Sequence, residues 1–211
     1  MQEFSATECI KFGWETFKKR PWFLVGAHLL YVAVVVVVSV VLGEIGKTGS
    51  ALNFVASITS WVFQLFAGMG MIAFLIKAHD DIEHVALKDF WRPDAFWKYL
   101  GAVILVFLAF VGGLILLIIP GIIFSIMFGF ATYLVIDRGL RPMEAMRESR
   151  RITEGHKGEL FSLALLSLGV FILGLICLLV GILVAIPVTA LAFVHAYRTL
   201  STKTSTPEPV A

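Results

Sequence analysis

"LGAVILVFLAFVGGLILLIIPGIIFSIMFGFATYLVI", residues 100–136, contains no charged side chain. As one helix its 37 residues would run roughly 55 Å, well beyond the ~30 Å apolar thickness of a bilayer. Pro120 and Gly121 stand near its middle. Proline removes a backbone donor and glycine tolerates a turn, so the stretch reads as a hairpin of two spans, 100–119 and 121–136. The rest of the chain follows the same logic. "WFLVGAHLLYVAVVVVVSVVL" (22–42) is one span and 51–76 a second. The last apolar block divides near Gly181 into spans at 160–180 and 182–197.

Composition agrees with six crossings. Of 211 residues, 59% are apolar and 15% charged, and the mean hydropathy is +0.91. Soluble domains carry about 25% charged residues, and a fold of this length has too little interior to hide so much apolar surface. The expectation is an all-α integral membrane protein. Residues 1–200 form a single polytopic domain and 201–211 a short flexible tail. No cleavable signal pattern opens the chain. Cys9 and Cys177 are too differently placed to suggest a disulfide.

Charge predicts orientation. Lys11, Lys18, Lys19 and Arg20 precede the first span; Lys77, Lys88, Arg92 and Lys98 fall between the second and third. Arg138, Arg141, Arg147, Arg150, Arg151 and Lys157 lie between the fourth and fifth, and Arg198 and Lys203 near the end. With six spans these share one side, and only Lys47 falls on the other. The positive-inside rule then puts both termini in the cytoplasm, at the inner membrane of the cell. Trp14, Trp22, Trp91 and Trp97 would form an aromatic belt at that face.

A short amphipathic segment precedes each hairpin. In "SATECIKFGWETFKKRPW" (5–22) Ser5 and Glu8 have capping-box spacing, and Ile10, Trp14 and Phe17 make an apolar stripe. "ALKDFWRPDAFWKYL" (86–100) is aromatic and broken by Pro93. "RPMEAMRESRRITEGHKGEL" (141–160) offers Pro142 for a first helical turn, with Met143, Met146 and Ile152 as its apolar side. Such helices are expected to lie in the interface, apolar side toward acyl chains. The order helix, hairpin, three times over, reads as an internal repeat.

From about Ala86 to Leu200 the chain resembles a group of bacterial and archaeal membrane proteins. The group includes the membrane domain fused to some glycerophosphodiester phosphodiesterases. The carrying segments are "LIIPGIIFSIMFGFATYLVID" (117–137), "GLRPMEAMRESRRITEGHKGELF" (139–161) and "GILVAIPVTALAFVHAYRTL" (181–200), with "CIKFGWETFKKRPWFLVG" (9–26) similar to openings in the group. The resemblance implies a six-helix membrane domain and no esterase chemistry, because no soluble segment here is long enough for a catalytic barrel.

Candidate sites each have a structural and a functional reading. Arg147, Arg150 and Arg151 fall near one helical face and would grip a phosphate or anionic headgroup; otherwise they fix topology, with Glu144 and Glu148 as surface partners. Nucleic acid is a poor partner for so short and acid-interleaved a patch. Asn53, Ser57, Ser60, Gln64 and Gly68 make a polar stripe that would line a solute path or serve as a packing seam, and the small pairs Ala109/Gly113 and Ser125/Gly129 offer similar close packing contacts. His28 and His195 are the imidazoles within the apolar runs. No Asp, Glu, Lys or Arg lies inside a span as drawn, which disfavours an ion-coupled carrier. "HDDIEH" (79–84) reads as a solvated acidic loop, not a zinc site. Asp137 pairs with Arg138 or caps the turn. No nucleophile, cofactor or metal motif appears. The expected function is a non-enzymatic, lipid-contacting binding or scaffold module, with lipids, a membrane-protein partner or a second copy as partners. The alternatives are a permease for a small or amphipathic solute and, more weakly, a membrane-bound lipid enzyme.

Overall fold

A computed structural model describes residues 4–176 and 178–203. Cys177 and the tail from residue 204 lie outside the described residues. Every regular element among them is helical: α1 (Ala6–Lys19), α2 (Pro21–Gly46), α3 (Ser50–Asp80), α4 (Phe96–Leu116), α5 (Ile118–Phe128), α6 (Ala131–Arg138), α7 (Pro142–Thr153), α8 (Lys157–Ile176) and α9 (Leu178–Lys203), with 3₁₀ turns at Leu87–Phe90 and Pro93–Ala95. Six stretches are long and apolar enough to cross a membrane: α2, α3, Leu87–Leu116, Ile118–Arg138, α8 and Gly181–Thr202.

The helices pair as hairpins α2–α3, α4–α5/α6 and α8–α9. Their tips carry exposed apolar side chains. Ile115, Leu116, Leu117, Ile118 and Ile119 are each more than two-thirds exposed, an apolar patch that suits lipid and not water. The second tip turns at Leu117, which is extended, and not at Pro120-Gly121. Pro120 instead occupies the first turn of α5, where its missing amide has no intrahelical partner to lose. Gly121 meets Gly113 across the hairpin, where a Cβ on Gly113 would lie 2.8 Å from the Gly121 Cα. The same device recurs in the third hairpin, where Gly174 faces Gly181.

Packing concentrates at the other end, the base, where the interfacial elements and the described ends of the chain lie. Leu24, Met69, Phe74, Leu134, Leu191, Val194 and Tyr197 are fully buried there. Each interfacial element covers a hairpin other than the one it leads into. The Leu87–Phe90 turn lies on α3, α7 lies on α4, α5 and α6, and α1 lies on α8 and α9, which closes a ring. Small residues set the close approaches. A Cβ on Gly70 would stand 2.5 Å from the Phe90 carbonyl, one on Gly101 would stand 2.7 Å from the Pro142 ring, and Gly13 sits directly against the Val188 carbonyl.

This docking corrects the expected interfacial faces. The buried face of α1 is Ala6, Cys9, Gly13, Thr16 and Phe17, while Trp14 is exposed. On α7 Met143 is exposed, and Ala145, Ser149, Ile152 and Thr153 are buried against protein. Close backbone contact selects small residues, so the large apolar stripe was the wrong guide. The Ser5–Glu8 capping box does not form either. The Ser5 hydroxyl pairs with the Thr7 hydroxyl at 2.8 Å. The third hairpin's second helix continues through Lys203, past the tail boundary expected at 201.

The break between α5 and α6 leaves the Met127 carbonyl without a helical partner of the usual kind. The buried Ser149 hydroxyl on α7 donates to it at 2.8 Å. A broken helix at membrane depth is tolerated where protein re-satisfies its backbone, and α7 does that here.

Candidate functional site

The second helices of the three hairpins end at the base in related polar strings: "KAHD" (77–80), "VIDR" (135–138) and "HAYR" (195–198). Folding brings these ends together. Arg198 donates through Nε and Nη2 to the Asp80 carboxylate, at 3.0 and 2.5 Å, and through Nη1 to Asp137 Oδ2 at 2.7 Å. The Tyr197 hydroxyl donates to the same Asp137 oxygen at 2.6 Å. Asp137 therefore does not pair with Arg138. Arg138 turns instead to Glu148 at 3.5 Å and to the carbonyl and hydroxyl of Ser201.

The network continues into two imidazoles. His79 Nδ1 lies 3.1 Å from Asp80 Oδ1, and His79 Nε2 lies 3.1 Å from His195 Nδ1. A carboxylate only accepts, so His79 Nδ1 carries the proton and its Nε2 accepts from His195 Nδ1–H. Phe12 of α1 stacks on His195, with centroids 4.0 Å apart and planes at 13°. "HDDIEH" is thus not uniformly solvated. His79 is drawn into the base, while His84 stays exposed and bonds Asp81 at 2.9 Å. That bond holds the Asp81 carboxyl below its ordinary range. Among the described residues no group of three or more His, Cys, Asp or Glu is placed to hold a metal ion. Chemically the cluster is a tie: two carboxylates, one guanidinium and two imidazoles that satisfy one another where three helices meet.

Other expected site residues are scattered. His28 is buried and its Nδ1 bonds the Leu24 carbonyl at 2.9 Å, a contact within its own helix. His195 belongs to the tie. Ser57 and Gln64 are exposed and Ser60 half-buried on the tip half of α3. Ser57 donates to Asn53 Oδ1 at 3.3 Å, and Gln64 Nε2 to Ser60 Oγ at 3.2 Å. The stripe and His28 are not brought together.

Arg147, Arg150 and Arg151 all remain exposed on α7. Arg151 holds Glu148 through two bonds of 2.8 Å, which stabilises its charge. Arg147 and Arg150 form no ion pair among the described residues. Under α1 the Cys9 thiol is pushed up to about 11, by burial first and by Glu8 second, which marks it as packing and not as a nucleophile.

Sequence reasoning missed the Asp80–Arg198–Asp137 tie. The available signal was the recurrence of a charged residue at the end of each hairpin's second helix.

No protein-family model matches the chain, and no solved structure matches it. Nothing found connects it to the phosphodiesterase membrane domain that parts of its sequence resemble. An uncharacterised protein of Mycobacterium bovis is 26% identical across 94% of this chain and 69% of its own length. An uncharacterised protein of Mycobacterium tuberculosis is 25% identical over the same shares. Helices, apolar surface and relatives together describe an all-helical, multi-pass membrane protein similar over nearly its whole length to uncharacterised mycobacterial proteins.

Proposed function

We propose that the protein is a membrane-embedded binding or scaffold module that works without catalysis and engages anionic lipid headgroups through α7. One observation carries this reading. The small-residue face of α7 is spent on the second hairpin, so its opposite face aims Arg147, Arg150 and Arg151 outward at the base, two of them unpaired. Guanidinium forks match phosphate geometry, and each cation near an anionic surface contributes about 1 kcal/mol.

In the proposed arrangement the base faces the cytoplasm. It carries the clustered cations and the exposed Trp14, Trp22, Trp91 and Trp97. At the first tip Lys47 is neutralised by Glu44 at 2.6 Å. Both termini are then inside the cell.

The test compares the wild-type protein with the Arg147→Ala/Arg150→Ala/Arg151→Ala variant by native mass spectrometry in phosphatidylglycerol and in phosphatidylcholine. Selective retention of phosphatidylglycerol that disappears in the variant is expected. Equal retention by both proteins sinks the headgroup role. Lys47→Cys and Glu154→Cys should label from opposite sides of the membrane, and labelling from one side overturns the topology.

A further inference from the structure

Away from the arginine face, the tip half of α3 divides two concavities. One is a notch of about 310 Å³ between α2 and α3, lined by Ser39, Gly43, Asn53, Ser57 and Ser60. The other is an apolar groove of about 610 Å³ between α3 and α4, walled by residues such as Phe54, Ile58, Leu65, Val103 and Phe107. Ser57 and Trp61 line both, so the two meet along the ridge these residues form. Trp61 is 71% exposed.

The notch is polar and lies beside helices whose other surfaces are apolar. Its groups are only partly satisfied. The Ser57 and Gln64 bonds use acceptors on Asn53 and Ser60, but the Asn53 amide N–H groups and the Ser39 hydroxyl donate to nothing among the described residues. Asn53 is exposed in the first turn of α3, against Gly46 at the tip, so these free donors stand where a lipid headgroup meets the surface and a hydrogen-bonding occupant gains contacts there. No ionisable side chain lines either concavity. A phosphate would find no cationic partner among the lining side chains, whereas hydroxyls would find both donors and acceptors, which favours an uncharged headgroup. Both volumes fall in the range of small-molecule sites.

We infer that the tip half of α3 is a binding site for an amphipathic lipid with an uncharged, hydroxyl-rich headgroup, its head in the Ser39–Asn53–Ser60 notch and an acyl chain in the α3–α4 groove. This site is separate from the α7 arginines, and either reading can fail alone.

The experiment exposes the purified Arg147→Ala/Arg150→Ala/Arg151→Ala variant, which lacks the proposed α7 headgroup contact, to an equimolar mixture of monogalactosyl diacylglycerol and phosphatidylglycerol with identical acyl chains. Retained lipid is then counted by native mass spectrometry. Excess galactolipid of about fivefold is expected, the size of one net hydrogen bond. Asn53→Leu/Ser60→Ala should abolish that preference, and Val103→Trp, which fills the groove, should cut galactolipid retention. The wild type should retain phosphatidylglycerol in addition, with its galactolipid count unchanged. The proposal is overturned if this background shows no galactolipid preference, if adding Asn53→Leu/Ser60→Ala to it leaves the preference, or if the wild type is a dimer that Asn53→Leu/Ser60→Ala dissociates. The last result would assign the stripe to a second copy. These side chains are exposed or half-buried, so unchanged unfolding midpoints are expected, and Val103→Trp provides a second reading from the opposite wall.

Discussion

Replacing Arg198 with leucine removes the cation that, among the described residues, joins α3, α6 and α9. The two carboxylates it serves are not equivalent. The Asp80 side chain is 43% exposed and water screens its charge, so losing that pair costs under about 1 kcal/mol. The Asp137 side chain is 15% exposed and would keep only the Tyr197 hydroxyl. Stranding a largely buried carboxylate costs about 3 kcal/mol, at the lower end for a broken buried pair. The sum is about 3–4 kcal/mol, or a fall of about 6–15 °C in Tm for a chain of this size. Thermal unfolding in detergent, followed by circular dichroism, measures it. The asymmetry gives a sharper check. Arg198→Leu/Asp137→Asn should recover at least half of the loss, since an amide is cheaper to leave unpaired than a carboxylate, whereas Arg198→Leu/Asp80→Asn should recover little. A shift below about 2 °C for Arg198→Leu would refute the reasoning, as would larger recovery through Asp80.

Ser149→Ala should lower stability by about 1 kcal/mol by leaving the Met127 carbonyl with only the longer Thr153 hydroxyl contact of 3.4 Å, seen as a lower Tm and faster amide exchange in residues 127–131. Gly13→Leu should lift α1 from α9, because its Cβ would overlap the Val188 carbonyl; limited proteolysis should then cut near Arg20 in the variant alone. Cys9 should resist maleimide at neutral pH in the folded protein and react after denaturation. Its raised pKa favours the folded state below the ordinary 9.0, and that contribution is lost as pH climbs toward about 11. The alkaline loss of Tm over that window should therefore shrink in Cys9→Ala.

Hydropathy alone revealed the class, because the length and spacing of the uncharged runs are dictated by bilayer thickness. His28, also visible in the sequence as an imidazole within an apolar run, bonds the Leu24 carbonyl of its own helix through Nδ1. What stayed hidden depends on contacts between distant parts of the chain. Asp80 and Arg198 are 118 residues apart, and no local pattern reports that separation. The faces of α1 and α7 were misread for a different reason. Periodicity weighs large apolar residues such as Trp14 and Met143, while a docked helix is chosen by Ala6, Gly13, Ala145 and Ser149, whose small size carries little hydropathy signal. The tip at Leu117 was displaced because proline serves a helix start as readily as a turn.

The ring in which α1 covers the third hairpin fixes an order of assembly. α1 emerges from the ribosome well before α8 and α9, which carry its partner surface. Throughout insertion of the first two hairpins, the face bearing Ala6, Cys9 and Gly13 waits without its mate, while the Leu87–Phe90 turn and α7 can settle as soon as they are made. Closure of the ring therefore waits for the third hairpin, which receives a helix made long before it. A nascent chain stopped before residue 157 would hold two paired hairpins and an α1 whose Ala6–Cys9–Gly13 face has nothing to cover it.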